Sequence, residues 1–315
     1  MQWPDTLNFS LSLCTIQSNF IPVQKMNMKL YKYLFVVAIS ISFFSCQKNG
    51  DVANTNIAAS TTLNVSYGTD PLQNMDIYLP ANRTTATTKV LIMIHGGAWT
   101  GGDKSDFTPY VDTLRNRLAD YAVFNINYRL SSGTINNFPT QENDVKAAVQ
   151  FIYNKASQYL ISDKYVLLGA SAGGHLAMLQ GYKYSTPIKA KAIVSFFGPS
   201  DLTDMYNNPV SGNPLLTLLI SQAVGKTPSQ DPTLYFNSSP INFITTASAM
   251  PTILLHGGAD PLVNASQSVA VKNKLTTAGI INQYVFYPTE SHGWVGINLT
   301  DSFNKIQAFL AANVN

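Results

Sequence analysis

At 315 residues, 45% of them hydrophobic, the chain is long enough for one large domain or two small ones around a sizeable core. A formal charge of +3 and the lack of any Lys/Arg cluster argue against a surface that tracks a phosphate backbone, so no nucleic-acid partner is expected. Only 12% of residues are charged, and Asn, Thr and Ser are plentiful, which suits a secreted or envelope protein.

The first element in the chain reads as an export signal. Lys29 and Lys32 are followed by an apolar and small-residue run from Leu34 to Phe44, then by Ser45 and Cys46. Positive, apolar, then small is the order of a signal peptide. The run is shorter than the roughly 20 residues that span a bilayer. It resembles a bacterial lipoprotein signal, with Phe43 where Leu is usual and Ser45 where Ala or Gly is commoner. That resemblance implies lipidation at Cys46 and an exported, lipid-anchored envelope protein that meets a membrane only through this anchor. Met26 or Met28 is a more natural start than Met1. Both cysteines, Cys14 and Cys46, lie in this leader region, so neither a disulfide nor a cysteine metal site is expected in the mature domain. The expected layout is a leader and signal over residues 1–45, a tether over 46–62 without periodicity, and a catalytic domain over 63–315.

Leu63, Val65 and Tyr67 alternate with polar residues, as do Met75, Ile77 and Leu79, with Gly68-Thr69-Asp70-Pro71 between them. This predicts a half-buried antiparallel hairpin. The pattern then changes to continuous apolar runs at 90–94, 122–126, 165–168, 192–197, 252–255 and 283–287. Such runs mark parallel strands buried on both faces. Helical spacing appears at Val111, Leu114 and Leu118, at Val145, Ala148, Val149 and Ile152, and at Phe303, Ile306 and Leu310. Alternating strands and helices predict an α/β fold: a mostly parallel twisted sheet, an N-terminal antiparallel hairpin, and helices on both faces. The long proline-rich stretch over residues 199–250 is expected to form a small cap over the site.

The strand at 165–168 runs into Gly169-Ala170-Ser171-Ala172-Gly173. A buried strand ending in G-x-S-x-G and leading into a helix is the sequence form of a nucleophile elbow. Side chains at Gly169 and Gly173 would clash with the neighbouring strand and helix. A serine nucleophile needs a base, an acid to orient the base, and donors for the oxyanion. Of the four histidines, His95 and His256 end strands before glycine pairs, and His175 lies in the helix after the elbow. His292 lies in a late loop after the last predicted strand and is the expected base. Asp260, just past the strand at 252–255, is the expected acid. Asp201, Asp204 and Glu290 are its rivals; Asp201 is the serious one, although a helix or turn cap explains it better. Backbone N–H groups of Gly97, Ala98 and Ala172 are the expected oxyanion donors. Trp99, Phe196, Phe197 and Trp294 fall near these loops; Trp99 and Trp294 are candidates for the substrate pocket, although core packing accounts for each of the four more readily.

His95 to Trp99, Asn127-Tyr128-Arg129-Leu130, the Ser171 elbow, Gly198 to Leu202, the Asp260 loop and the His292 loop together resemble the α/β-hydrolase superfamily. The closer resemblance is to its hormone-sensitive-lipase-like and acetyl-esterase (carboxylesterase) branch, over about Leu63 to Phe309. The resemblance implies Ser171 as nucleophile, Asp260 as acid, His292 as base and the three donors already named. It also implies chemistry without metal or other cofactor. Ala98 departs from the third glycine found in many members. The expected activity is hydrolysis of short-chain or aromatic acyl esters, on small molecules or as acetyl or feruloyl groups on polysaccharides. Arylformamidase or peptidase-like chemistry, and a non-catalytic binding protein on the same scaffold, are the alternatives. The sequence leaves the oligomeric state open.

Overall fold

Consecutive apolar residues on a strand point to opposite faces of a sheet, so an uninterrupted apolar run is stable only with packing on both sides. That rule builds the domain. The structure, a computed structural model, describes residues 56–315. The signal-like segment, Cys46 and most of the expected tether lie outside the described residues.

Eight strands form one sheet in the order β1-β2-β4-β3-β5-β6-β7-β8. They are β1 (Ser60–Ser66), β2 (Asn74–Leu79), β3 (Lys89–Ile94), β4 (Tyr121–Ile126), β5 (Tyr165–Ala170), β6 (Ala192–Phe196), β7 (Thr252–Gly257) and β8 (Asn282–Tyr287). β1 and β2 are antiparallel, β2 joins β4 antiparallel, and every later pairing is parallel. The fold is the α/β arrangement expected from the sequence.

The hairpin differs from expectation in detail. Strand pairing already starts at Ser60 opposite Leu79, so the last three residues assigned to the tether belong to the sheet. Leu63 is exposed rather than half-buried, because a register shift between Thr62 and Val65 breaks the alternation. Asn64 takes the left-handed conformation there (φ 56°). A bulge of this kind twists an edge strand away from further pairing.

The main helices among the described residues are α1 (Thr108–Arg117), α2 (Thr140–Asn154), α3 (Ala172–Lys183), α4 (Pro214–Val224), α5 (Ser266–Thr277) and α6 (Gly296–Asn313); all but α4, which lies in the 199–250 segment, flank the sheet. The alternating faces of β3 show the layering. Val90, Ile92 and Ile94 share a buried cluster with residues of α2, α3 and α5, whereas Leu91 and Met93 share the other with α1 and α6. Residues 199–250 fold as short helical pieces and α4, with no strand. Among the described residues no helix is long and apolar enough to cross a membrane.

Candidate active site

The elbow follows from three glycine-sized gaps. A Cβ on Gly169 would meet the Gly173 backbone at 2.2 Å, and one on Gly173 would meet the Ile94 carbonyl oxygen at 1.9 Å. Between them Ser171 is driven to φ 54° and ψ −123°, a strained conformation for a residue with a Cβ. Its N–H donates to the Phe196 carbonyl at 2.9 Å, and its carbonyl accepts from His175 N–H at 3.0 Å. The turn is thus held by β6 and by the first turn of α3. Gly96 is the third gap, since a Cβ there would lie 3.3 Å from the Ser171 Cβ.

The loop after β3 stands against the elbow. Gly97, Ala98 and Trp99 all have positive φ, at 104°, 51° and 62°. Gly97 has no alternative: a Cβ would lie 2.1 Å from the Gly101 carbonyl oxygen. The carbonyl of Gly97 accepts from Thr100 and Gly101 N–H. The N–H groups of Gly97, Ala98 and Ala172 have no acceptor among the described residues. All three residues line one cavity of about 440 Å³ together with Ser171 and His292. Tyr128 braces the loop from behind, stacking on His95 with ring centres 4.2 Å apart and donating its hydroxyl to the His95 carbonyl at 3.1 Å.

Asp260 and His292 meet because β7 and β8 are neighbours and their exits are laced together. Gly258 N–H donates to the Tyr287 carbonyl and Ala259 N–H to the Glu290 carbonyl. Glycine is required at 257, where a Cβ would lie 2.3 Å from the Glu290 carbonyl oxygen. The lacing puts His292 Nδ1 2.7 Å from Asp260 Oδ2. With Nδ1–H donated to the carboxylate, Nε2 carries the free lone pair. Asp260 Oδ1 accepts from the N–H groups of Leu262 at 2.8 Å and Val263 at 2.9 Å. Burial alone raises this carboxyl. Side-chain hydrogen bonding with His256 and His292 and the Val263 N–H outweigh it, and hold Asp260 well below the usual carboxylate range. Ser171 and His292 line the same cavity without a direct hydrogen bond between them. Such contacts often tighten only when substrate binds.

The other titratable candidates have structural partners. Asp201 caps the short helix Leu202–Asn207 by accepting from Asp204 N–H. Asp204 accepts from Gln267 Nε2, and Glu290 from Asn298 Nδ2. His175 is fully buried, receives the Trp99 indole N–H at Nδ1 and donates Nε2–H to the Ser238 carbonyl. Burial lowers its pKa to about 4, so it stays neutral. Trp99 lines the cavity wall through this contact. Trp294 does not line it: its N–H donates to Ser302 Oγ, and its ring packs against Phe196 and Phe197.

His256 is the residue that sequence reasoning passed over. Its Nε2 donates to the Val263 carbonyl at 2.9 Å and lies 3.4 Å from Asp260 Oδ2, while Nδ1 accepts from Ser268 Oγ at 2.8 Å. A histidine four residues before a candidate acid, at the end of a strand, was the available signal. The expected cap segment contributes Met205, Leu216, Leu219 and Ile220 to the cavity wall. Among the described residues no cluster of His, Cys, Asp and Glu could hold a metal ion.

The BD-FAE family model matches residues 75–275. LipM of Mycobacterium tuberculosis, described as a probable carboxylic ester hydrolase, is 31% identical over 65% of this chain and 49% of its own length. The esterase LipC of the same organism is 25% identical over 73% of this chain and 59% of its own. The chain therefore spans about half to three-fifths of the length of these curated relatives. A truncated carbohydrate esterase from gut microbiota is similar in structure, with a TM-score of 0.67, 27% identity, and coverage of 82% of this chain and 97% of that one. One part of a bifunctional GH43-CE protein of Bacteroides eggerthii matches with a TM-score of 0.69 and 27% identity, over 81% of this chain and 38% of that one. With well over half its length matched, the chain belongs to the BD-FAE family, within the esterase branch of the α/β-hydrolase superfamily.

Proposed function

We propose that this protein is a serine carboxylesterase acting on short-chain or aromatic acyl esters through an acyl-enzyme. One observation carries the reading: a single cavity gathers a serine on a strained elbow, an imidazole tied to a buried carboxylate, and three unengaged backbone N–H groups. In this mechanism Ser171 Oγ attacks the ester carbonyl carbon as His292 Nε2 takes its proton. The carbonyl electrons move onto oxygen, where Gly97, Ala98 and Ala172 N–H groups stabilise the charge. Collapse expels the alcohol, which receives the proton from His292. Water then repeats the attack on the acyl-enzyme, releasing the acid and restoring Ser171. Asp260 keeps His292 in the tautomer that accepts at Nε2 and stabilises the imidazolium.

Residues 199–250 serve as the cap of this site. The carbohydrate-esterase neighbours and the expected export signal favour acetyl or feruloyl groups on polysaccharides as substrates, and a lipid anchor at Cys46 would hold the enzyme in the envelope. The direct test is an alkyl fluorophosphonate, which adds covalently to an activated serine. Peptide mass spectrometry is expected to find the adduct on Ser171, with loss of p-nitrophenyl acetate hydrolysis. Labelling elsewhere, or activity that survives full labelling, overturns the assignment.

A further inference from the structure

Next to the site cavity lies a second one of about 240 Å³. Its floor comes from Leu114 of α1, Leu168 of β5 and Phe303 of α6, all in the buried core. Its lining is mostly apolar or aromatic; the indole N–H of Trp294 is already given to Ser302, and the side-chain hydroxyl in the lining is that of Tyr110, in the wall shared with the site cavity. Interiors are close-packed, with few voids larger than a water molecule. An apolar cavity of about 150 Å³ already accepts benzene. The space is therefore large enough for an aromatic ring, and its walls are mostly apolar.

The two cavities share Phe107, Tyr110, Ala170 and Phe197 as a common wall. Ala170 directly precedes Ser171, and Gly293, which lines the second cavity, directly follows His292. Phe197 is the partition. Its ring centre lies 4.4 Å from that of His292 and 5.5 Å from that of Trp294. Its backbone has φ 39°, a region that favours glycine, and is held there by an N–H donated to the Leu255 carbonyl at 2.7 Å. A bulky residue kept in this conformation beside a reaction centre indicates that the surrounding structure enforces its position.

We propose that the second cavity is a subsite for the apolar end of the acyl group, with Phe197 setting how far that group reaches. The proposal rests on the serine-esterase reading. The acyl half is the better occupant because a closed floor of core side chains suits a group that terminates, whereas a saccharide alcohol continues and needs the open cavity.

The experiment compares kcat/KM for p-nitrophenyl benzoate and hexanoate with that for p-nitrophenyl acetate, in wild type and two variants. Leu299→Trp, at a half-buried position of α6 that lines only the second cavity, is expected to lower the large-to-acetyl ratio at least about tenfold. Phe197→Ala is expected to raise it. Circular dichroism and thermal melting check that each variant is folded, and the ratio cancels any general loss of activity. A parallel series of phenyl, hexyl and methyl acetates varies only the alcohol. Ratios that stay within about twofold of wild type in both variants, or that change only in the alcohol series, overturn the proposal. The serine assignment fails by a different result, acetate hydrolysis that persists in Ser171→Ala.

Discussion

Asp260 Oδ2 lies between two imidazoles, 2.7 Å from His292 Nδ1 and 3.4 Å from His256 Nε2. His256 has no exposed surface and is anchored at its other nitrogen by Ser268. It is a positioning residue, holding the carboxylate that holds the proposed base. His256→Ala is expected to destabilise the domain by about 2 kcal/mol or more, because the Val263 carbonyl, the Ser268 hydroxyl and Asp260 all lose a buried partner. In the folded fraction, kcat should fall more than KM rises. Equal kcat in wild type and variant, measured below the melting range, would remove His256 from the reaction.

The depressed Asp260 carboxyl predicts a particular dependence of stability on pH. Its folded pKa lies below the unfolded value of about 3.9. The unfolded chain therefore binds the proton first, and the stability contributed by Asp260 is fully present above that value. It is lost as the pH falls below about 3.9 toward the folded value. The stability difference between wild type and Asp260→Asn should shrink as the pH falls below about 4. Denaturant titrations across this range measure it. A difference that grows as the pH falls below about 4 would contradict the charge state inferred from the hydrogen bonds.

Ser171→Ala should lower p-nitrophenyl acetate turnover by at least about a thousandfold while leaving the melting temperature close to wild type. Near-normal turnover would mean that another group makes the attack.

The two candidate acids are separated by a paired substitution. Asp260→Asn places an amide where His292 needs a carboxylate and should reduce kcat by several orders of magnitude. Asp201→Asn keeps a side-chain oxygen able to cap the helix at residues 202–207, so activity and stability should both stay near wild type. Steady-state kinetics on the two proteins decide between them, and the opposite ranking would move the acid role to Asp201.

The loop after β3 gives an asymmetric pair. Gly97→Ala adds a Cβ 2.1 Å from the Gly101 carbonyl oxygen at φ 104°, so the loop must move. Displacing its donors should cost about a hundredfold or more in kcat. Ala98→Gly relieves a left-handed alanine and retains the N–H, so stability should change by less than about 1 kcal/mol and activity should persist. Comparable damage from both changes would show that the loop's backbone geometry is not what matters.

Some of this was readable in the chain because the relevant physics is local. Val90 to Ile94 has to be covered on both faces, and Gly169 and Gly173 bracket a serine directly after a strand; both features follow from near neighbours in sequence. The order of strands and helices then predicts a parallel sheet. The bulge at Asn64 was not readable, because it depends on how β1 meets β2 and on the edge it must protect.

The sequence by itself determined the α/β layering, the elbow at Ser171 and which loops lie after strand ends, since each depends on residue size, periodicity or backbone freedom within a few positions. Tertiary structure alone decided that His292 reaches Asp260, that His256 faces the same carboxylate, and that Phe197 divides two cavities. Those relationships depend on β6, β7 and β8 standing side by side and on backbone hydrogen bonds between loops some thirty residues apart in the chain, distances over which sequence periodicity carries no information.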